Sequence, residues 1–408
     1  MRRSLLLVSL VIALLGPARA GLLEYVNTPD PSYAWSVGSS TTPGVVHLNL
    51  TSQTWQNIAW QHTVGIIRPA QVRYPDLVIL LITGGQPGPE ESLLGQLLAN
   101  TLGATFAVIW QIPNQPLWGM REDDLIAHTF EQLLATGDSS WPLLFPMTKA
   151  AMRAMDAIQE YGQQTWGVRP TRFITTGASK RGWTTWLTAA ADPRVVALMP
   201  MVYDNLNLAA QMEHQIELWG RYSPSIDDYT RRGLQQKLAS PEGQRLAAMV
   251  DPYTYRDRIT QPKLIVNAAN DSYWTVDALN YYRPGLQGET WQILVPNAGH
   301  GIKDYGRVIA AAGGFVKMVA GNLPRPELSW EHRVENGQVI FSVCAPTAAR
   351  ASLWSAEGSG GLFTASAWKT TPMTRQGERW EARLPLPAVG DLALFGEASF
   401  SLDGADAP

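Results

Sequence analysis

A serine stands where a strand would turn into a helix. The run Phe173-Ile174-Thr175-Thr176-Gly177-Ala178-Ser179-Lys180-Arg181-Gly182-Trp183 passes from β-branched residues through a small-residue turn into a helix-compatible segment. A hydroxyl raised at such a turn is presented to substrate, and its neighbours must be small because the turn presses them against adjacent strands. The usual spacing has a second glycine two residues after the serine; here Arg181 stands there and Gly182 follows. Two more strand-like runs end in the partners that a serine nucleophile needs. Residues 263–271 end in Asp271, and residues 291–301 end in a loop that carries His300. A hydroxyl is a weak nucleophile until an imidazole takes its proton, and a carboxylate fixes the imidazole tautomer and steadies its cation. The chemistry indicated is acyl transfer. Asp204 also ends a strand-like run and competes with Asp271 for the role of acid, with Asp277 a third candidate.

The order Ser, Asp, His, each just past the C-terminal end of a strand, is that of α/β-hydrolases. In that fold the loop after an early strand donates one backbone N–H to the oxyanion, and the residue after the nucleophile donates the other. The apolar run 76–82 leads into Gly84-Gly85, which nominates the amides of Gly85 or Gln86 together with that of Lys180. Arg181, Trp183, Asp204 and Trp274 lie close enough along the chain to these groups to be candidate substrate contacts.

The elements that must position these residues alternate in kind. Residues 22–75 read as β-hairpin material. Strands at 77–82 and 105–111 and helices at 91–101, 123–136 and 147–161 precede the elbow; a helix to about 190 and a strand at 195–202 follow it. Such alternation predicts a mostly parallel sheet with crossover helices. An insertion with helical periodicity, about 205–260, is placed to cap the site, and its Glu213, His214, Glu217, Trp219, Arg221 and Tyr222 are further candidate contacts. Prolines 324 and 326 mark a linker. Beyond it, short alternating runs at 338–345, 350–355, 378–384 and 391–400 predict a small β-sandwich, with Trp330, Trp354, Trp368 and Trp380 as its core and edge packing. The expected division is therefore 1–20 signal peptide, 21–322 α/β-hydrolase-like domain and 327–408 β-rich domain. The β-rich domain is expected to dock on the larger one and supply part of the cleft wall.

Arg2 and Arg3, an apolar core from residue 5 to 15 and Ala18-Arg19-Ala20 form an export signal with a small-residue cleavage site. Export to the periplasm or beyond the cell is expected. The apolar core is too short to span a bilayer comfortably, and no cysteine follows the cut to carry a lipid, so no membrane anchor is expected. Of 408 residues, 32 are Lys or Arg and 35 are Asp or Glu, a near balance that gives no electrostatic footprint for nucleic acid. Cys344 is the one cysteine, so no intrachain disulfide forms. The six histidines show no metal-ligand spacing, and there is no dinucleotide fingerprint or phosphate loop, so neither metal nor cofactor is expected. The chain does not disclose its oligomeric state.

Several blocks carry a family likeness: Leu50-Thr51-Ser52-Gln53-Thr54-Trp55 with Trp60-Gln61-His62, Gly177 to Leu187, Asp192-Pro193-Arg194-Val195, Val266 to Trp274, and Val295-Pro296-Asn297-Ala298-Gly299-His300. On these the chain resembles the PhoPQ-activated pathogenicity-related proteins, which include an autocrine proliferation-repressing factor. The resemblance implies an exported α/β-hydrolase-like protein with a β-rich tail and an association with virulence, including resistance to antimicrobial peptides. The Arg-Asp-Phe-Arg-like signature that follows a Leu-Trp pair in relatives is absent, since Leu353-Trp354 runs into Ser355-Ala356-Glu357-Gly358.

Two functional readings remain open. In the first, Ser179, His300 and Asp271 hydrolyse a small ester, thioester or peptide, and Lys180 and Arg181 either attract an acidic group or pair with acids of the cap. In the second, the hydrolase scaffold serves binding or signalling without turnover.

Overall fold

The computed structural model describes residues 21–402 and 405–407. The expected signal peptide, residues 1–20, lies outside the described residues. The chain begins with α1 (Leu22–Asn27), followed by β1 (Ala34–Val37), β2 (Val45–Trp55) and β3 (Ile58–Ile67) as an antiparallel ladder. Strands and helices then alternate through β4 (Tyr74–Ile82), α2 (Pro89–Leu102), β5 (Ala104–Ile109), α3 (Glu122–Thr136), α4 (Leu144–Trp166), β6 (Arg172–Ala178), α5 (Lys180–Ala191) and β7 (Val195–Met201). The insertion holds α6 (Leu208–Trp219), α7 (Asp227–Thr230), α8 (Leu234–Lys237) and α9 (Pro241–Val250). It is followed by β8 (Lys263–Ala268), β9 (Thr290–Val295) and α10 (Tyr305–Gly321). One nine-stranded sheet results, in the order β1-β2-β3-β5-β4-β6-β7-β8-β9. It is antiparallel at the β1 edge and parallel from β5 to β9.

The apolar runs form strands because the sheet is covered on both faces. Along β4, Val78, Leu80 and Ile82 join one core and Leu77 and Ile79 the other; on β5, Ala107 and Ile109 oppose Phe106 and Val108 in the same way. Side chains of a strand alternate between faces, so a continuous apolar run fills two cores at once. Residues of α3, α4 and α5 belong to the first core, and those of α2 and α10 to the second. Trp60, Trp110 and Trp186 are fully buried, which makes packing the use of these tryptophans.

Part of the expected N-terminal hairpin is helical instead. Leu22 and Val26, four residues apart, are both fully buried against the core that α4 lines, a spacing that suits one helical face and not a strand.

After α10 the chain forms β10 (Ser329–Glu335), β11 (Gln338–Cys344), β12 (Arg350–Gly358), β13 (Lys369–Pro372), β14 (Thr374–Gln376), β15 (Arg379–Pro385), β16 (Asp391–Leu402) and β17 (Ala405–Ala407). They make two four-stranded sheets, β10-β11-β15-β14 and β13-β12-β16-β17, around Phe341, Val343, Leu353 and Trp380. Only Trp380 of the four expected tryptophans fills this core. Trp368 and Phe363 instead pack with Ala269, backed by Leu294 and Trp354, against the larger sheet's loops. Trp330 is 48% exposed, with the Arg283 guanidinium over its ring.

Candidate active site

Ser179 closes β6 and opens α5. Its φ is 57° and its ψ −124°, a backbone setting that L-residues rarely hold. Neighbouring contacts fix it there. The Ser179 N–H donates to the Met201 carbonyl at 2.8 Å. A Cβ on Gly177 would meet the Arg181 carbonyl oxygen at 2.7 Å, and one on Gly182 would meet the Met201 oxygen at 2.8 Å. The displaced glycine thus has a steric reason: position 182, one helical turn on, faces β7, whereas position 181 faces the Gly84 loop and the start of α3, where a long side chain fits.

The loops after β8 and β9 bring the other two groups to the serine. His300 Nε2 lies 2.9 Å from Ser179 Oγ, and His300 Nδ1 lies 2.8 Å from Asp271 Oδ2. With Nδ1–H donating to the carboxylate, Nε2 is left to accept the hydroxyl proton. The other oxygen of Asp271 accepts the Tyr273 N–H at 2.9 Å, so the carboxylate is held from both sides. The Tyr273 ring stacks on the imidazole with centroids 4.1 Å apart. Tyr273 was not a candidate on sequence grounds; its place two residues after Asp271, where an Asx turn closes, was the available signal.

Asp204 does not compete for the histidine. It is buried, accepts from the Tyr282 hydroxyl at 2.5 Å, and burial pushes its carboxyl up to about 7 against the lowering effect of that bond. Asp277 accepts from His214 Nε2 at 2.9 Å, on the cap side.

Lys180 and Arg181 pair with acids, but the acids come from the start of α3 and not from the cap. Lys180 Nζ lies 3.0 Å from Asp123 and 3.1 Å from Glu122. Arg181 grips both oxygens of Glu122 at 2.7 Å and donates to the Ile112 carbonyl. Burial alone would raise the Glu122 carboxyl, but the Arg181 bonds and the two cations hold it down to about 2. Arg181 is therefore a structural tie rather than a substrate contact. It reaches these partners past Gly84, where a Cβ would sit 1.7 Å from the guanidinium. That close approach brings the Gly85–Gln86 loop against the first turn of α5, with both residues exposed. The Gly85 carbonyl is tied to the Gln111 N–H at 3.0 Å.

Between α5 and the insertion lies a cavity with about 80 Å³ of room for the centres of water-sized groups. Ser179, Lys180, Trp183, Tyr273 and Trp274 line one side, and Met212, Leu234, Leu246 and Val250 of the insertion line the other. Trp183 is anchored by Nε1 to the Val250 carbonyl at 2.6 Å and stacks on Tyr203. Trp183 and Trp274 thus stand where substrate contacts were expected; Arg181 and Asp204 do not line this cavity. The polar insertion residues fall elsewhere. Glu213, Glu217 and Arg221 are exposed, His214 is bound to Asp277 and Tyr281, Trp219 donates to the Gly361 carbonyl, and Tyr222 packs on the core. The insertion lines the cavity mostly with apolar side chains, Asn205 and Gln235 being its polar ones there, and turns Glu213, Glu217 and Arg221 to solvent.

The β-sandwich supplies no cavity wall among the described residues; it holds the loops that carry Asp271 and His300. Asn270 Nδ2 donates to the carbonyls of Phe363 and Ser366, each at 2.8 Å. Asn297 donates to the Trp368 carbonyl at 3.0 Å and accepts the Trp368 N–H at 2.8 Å. Sequence reasoning overlooked both asparagines, since their partners are backbone groups far along the chain. No cluster of metal-ligating side chains occurs among the described residues, and no helix there is long and apolar enough to cross a membrane.

The geometry fits the α/β-hydrolase fold, and comparison with known proteins agrees. An acetyl xylan esterase from Paenibacillus sp. R4 superimposes with a TM-score of 0.52 at 14% identity, over 72% of this chain and 91% of that one. Acetyl xylan esterase 1 from Thermoanaerobacterium sp. gives 0.47 at 14% identity, over 73% and 91%. At 14% identity the likeness to the Paenibacillus enzyme bears on the fold alone. Autocrine proliferation repressor protein A of Dictyostelium discoideum is 34% identical over 367 residues, 83% of this chain and 73% of that protein. The family model for PhoPQ-activated pathogenicity-related protein matches residues 22–360, and the chain belongs to that family.

Proposed function

We propose that this member of the PhoPQ-activated pathogenicity-related family is a serine hydrolase that cleaves an ester or peptide bond. The carrying observation is Ser179 in a strained turn, its Oγ 2.9 Å from an imidazole whose far nitrogen is held by a carboxylate. Ser179 Oγ attacks the acyl carbonyl while His300 Nε2 takes its proton, and Asp271 steadies the imidazolium. The developing oxyanion turns toward the Lys180 amide and that of Gly85 or Gln86. His300 returns the proton to the leaving group, giving an acyl-Ser179 ester. Water, deprotonated by His300, then attacks that ester, and the imidazolium returns the proton to Ser179 Oγ as the acid leaves.

Fluorophosphonate labelling read by intact mass tests this. One adduct on the wild type, absent in Ser179→Ala and strongly slowed in His300→Ala, supports the reading; a folded protein that takes no adduct refutes it. The second reading, binding or signalling without turnover, is favoured by the Dictyostelium relative's name and predicts no adduct. Residues 21–322 are read as the hydrolase domain and 327–408 as a β-rich domain. The pattern of residues 1–20 supports export, which cell fractionation tests.

A further inference from the structure

Resting on the hydrolase reading, we infer that the cavity beside Ser179 is an acyl slot. It selects a neutral, apolar acyl group of intermediate length, and the leaving group departs on the opposite, open side.

Three observations converge. The first is the wall. Phe130, Trp183, Leu208, Met212, Leu246 and Val250 give it a mostly apolar lining, interrupted by the uncharged amides of Asn205 and Gln235, with Ser179 also on the wall. Such a wall favours a hydrocarbon by the area it removes from water. The second is charge. The charged residues at the cavity, Lys180 and Asp123, face each other at 3.0 Å; Lys180 also contacts Glu122, and Asp123 also accepts from Tyr229 at 3.0 Å. These charges are mutually satisfied, so a charged acyl group would be desolvated without a partner. The third is the asymmetry of access. Gly85, Gln86, Ala178 and Gly301 are exposed around the serine, and the His300 side chain is 24% exposed. After the first step the leaving group must depart and water must enter, whereas the acyl group stays bonded to Ser179. The open side suits the first two, and the lined cavity suits the third.

Size sets the length. A water-sized group needs roughly 10–15 Å³ of such room, so a cavity of about 80 Å³ accepts on the order of half a dozen groups. That corresponds to an unbranched acyl chain of roughly four to six carbons, more than an acetyl group and less than a long-chain lipid.

The test uses the full chain in two arms. In the first, p-nitrophenyl esters from acetate to laurate are compared. The expected optimum in kcat/KM lies at butyrate or hexanoate, and Ala247→Leu and Ala247→Phe, which add bulk on the cavity wall that Ala247 lines, shift it toward acetate. In the second arm, Ser179→Ala protein is titrated with fatty acids while intrinsic tryptophan fluorescence, to which Trp183 and Trp274 of the cavity wall contribute, is followed, a readout that needs no turnover. Affinity should rise about fourfold per methylene up to hexanoate and then level off. An acetate optimum unmoved by Ala247→Phe, with no chain-length dependence of fatty-acid binding, overturns the slot and leaves the hydrolase reading standing. Graded binding without labelling of Ser179 keeps the slot as a binding site and overturns the hydrolase reading.

Discussion

Asn297→Gly tests whether the β-sandwich holds the histidine loop in its working position. Asn297 sits at φ 55°, which glycine adopts freely, so the substitution removes the side chain without adding backbone strain. Alanine there would add about 1 kcal/mol of its own and blur the result. The side chain makes two hydrogen bonds to the Trp368 backbone, at 3.0 and 2.8 Å. At roughly 1 kcal/mol net each, their loss removes about 2 kcal/mol from the docking of the sandwich on the loop. That is about a thirtyfold change in the docked-to-undocked ratio. Asn270 still holds the neighbouring loop, so thirtyfold is a ceiling, and a fall of roughly three- to tenfold is expected in kcat and in the fluorophosphonate labelling rate. KM for a butyrate ester should stay within about twofold, because no sandwich residue lines the cavity. Stopped-flow labelling, with kcat and KM measured in parallel, reads all three quantities. A variant that melts earlier yet labels at the wild-type rate would show that the loop positions His300 without the sandwich, and the reasoning would fail.

Two further perturbations address the groups around the nucleophile. Arg181→Met removes the bidentate partner of Glu122 and leaves its carboxylate with Lys180 and Gln115; since the Glu122 side chain is 39% exposed, the expected loss is about 1 kcal/mol in urea unfolding rather than the larger figure for a fully buried pair. Unchanged stability would mean that the tie is idle. Burial raises the Asp204 carboxyl from its ordinary 3.8 to about 7 in the folded chain, so its contribution to stability is greatest below pH 4 and declines as pH rises toward 7. Asp204→Asn, which can still accept from Tyr282, should therefore flatten that decline and melt higher than wild type at pH 8 but not at pH 4; parallel pH profiles would refute it.

The residues of the candidate triad were legible because strand ends and tight turns leave a local imprint. Ser179, Asp271 and His300 each follow an apolar run, and their order follows from how a parallel sheet exposes its C-terminal edge. Partnerships between distant segments left no such imprint. Nothing near Arg181 says that its acid is Glu122, at the start of a helix from another part of the chain. The polar residues of the insertion drew attention by their chemistry, but an amphipathic helix covering a cavity turns its apolar face inward. The α1 helix was hidden by its brevity, since six residues carry too little periodicity to outweigh the strand-like segments after it.

The torsion at Ser179 bears on how this scaffold ages under selection. A non-glycine residue at φ 57° and ψ −124° costs on the order of 1–3 kcal/mol that glycine would avoid. A lineage that kept the fold only for binding would find Ser179→Gly a stabilising step, open to drift and unopposed by any lost reaction. Serine at that corner is a position that mutation would erode downhill. Serine rather than glycine at that corner, beside an aligned imidazole, thus carries a standing cost, and the hydrolase proposal gives that cost a use.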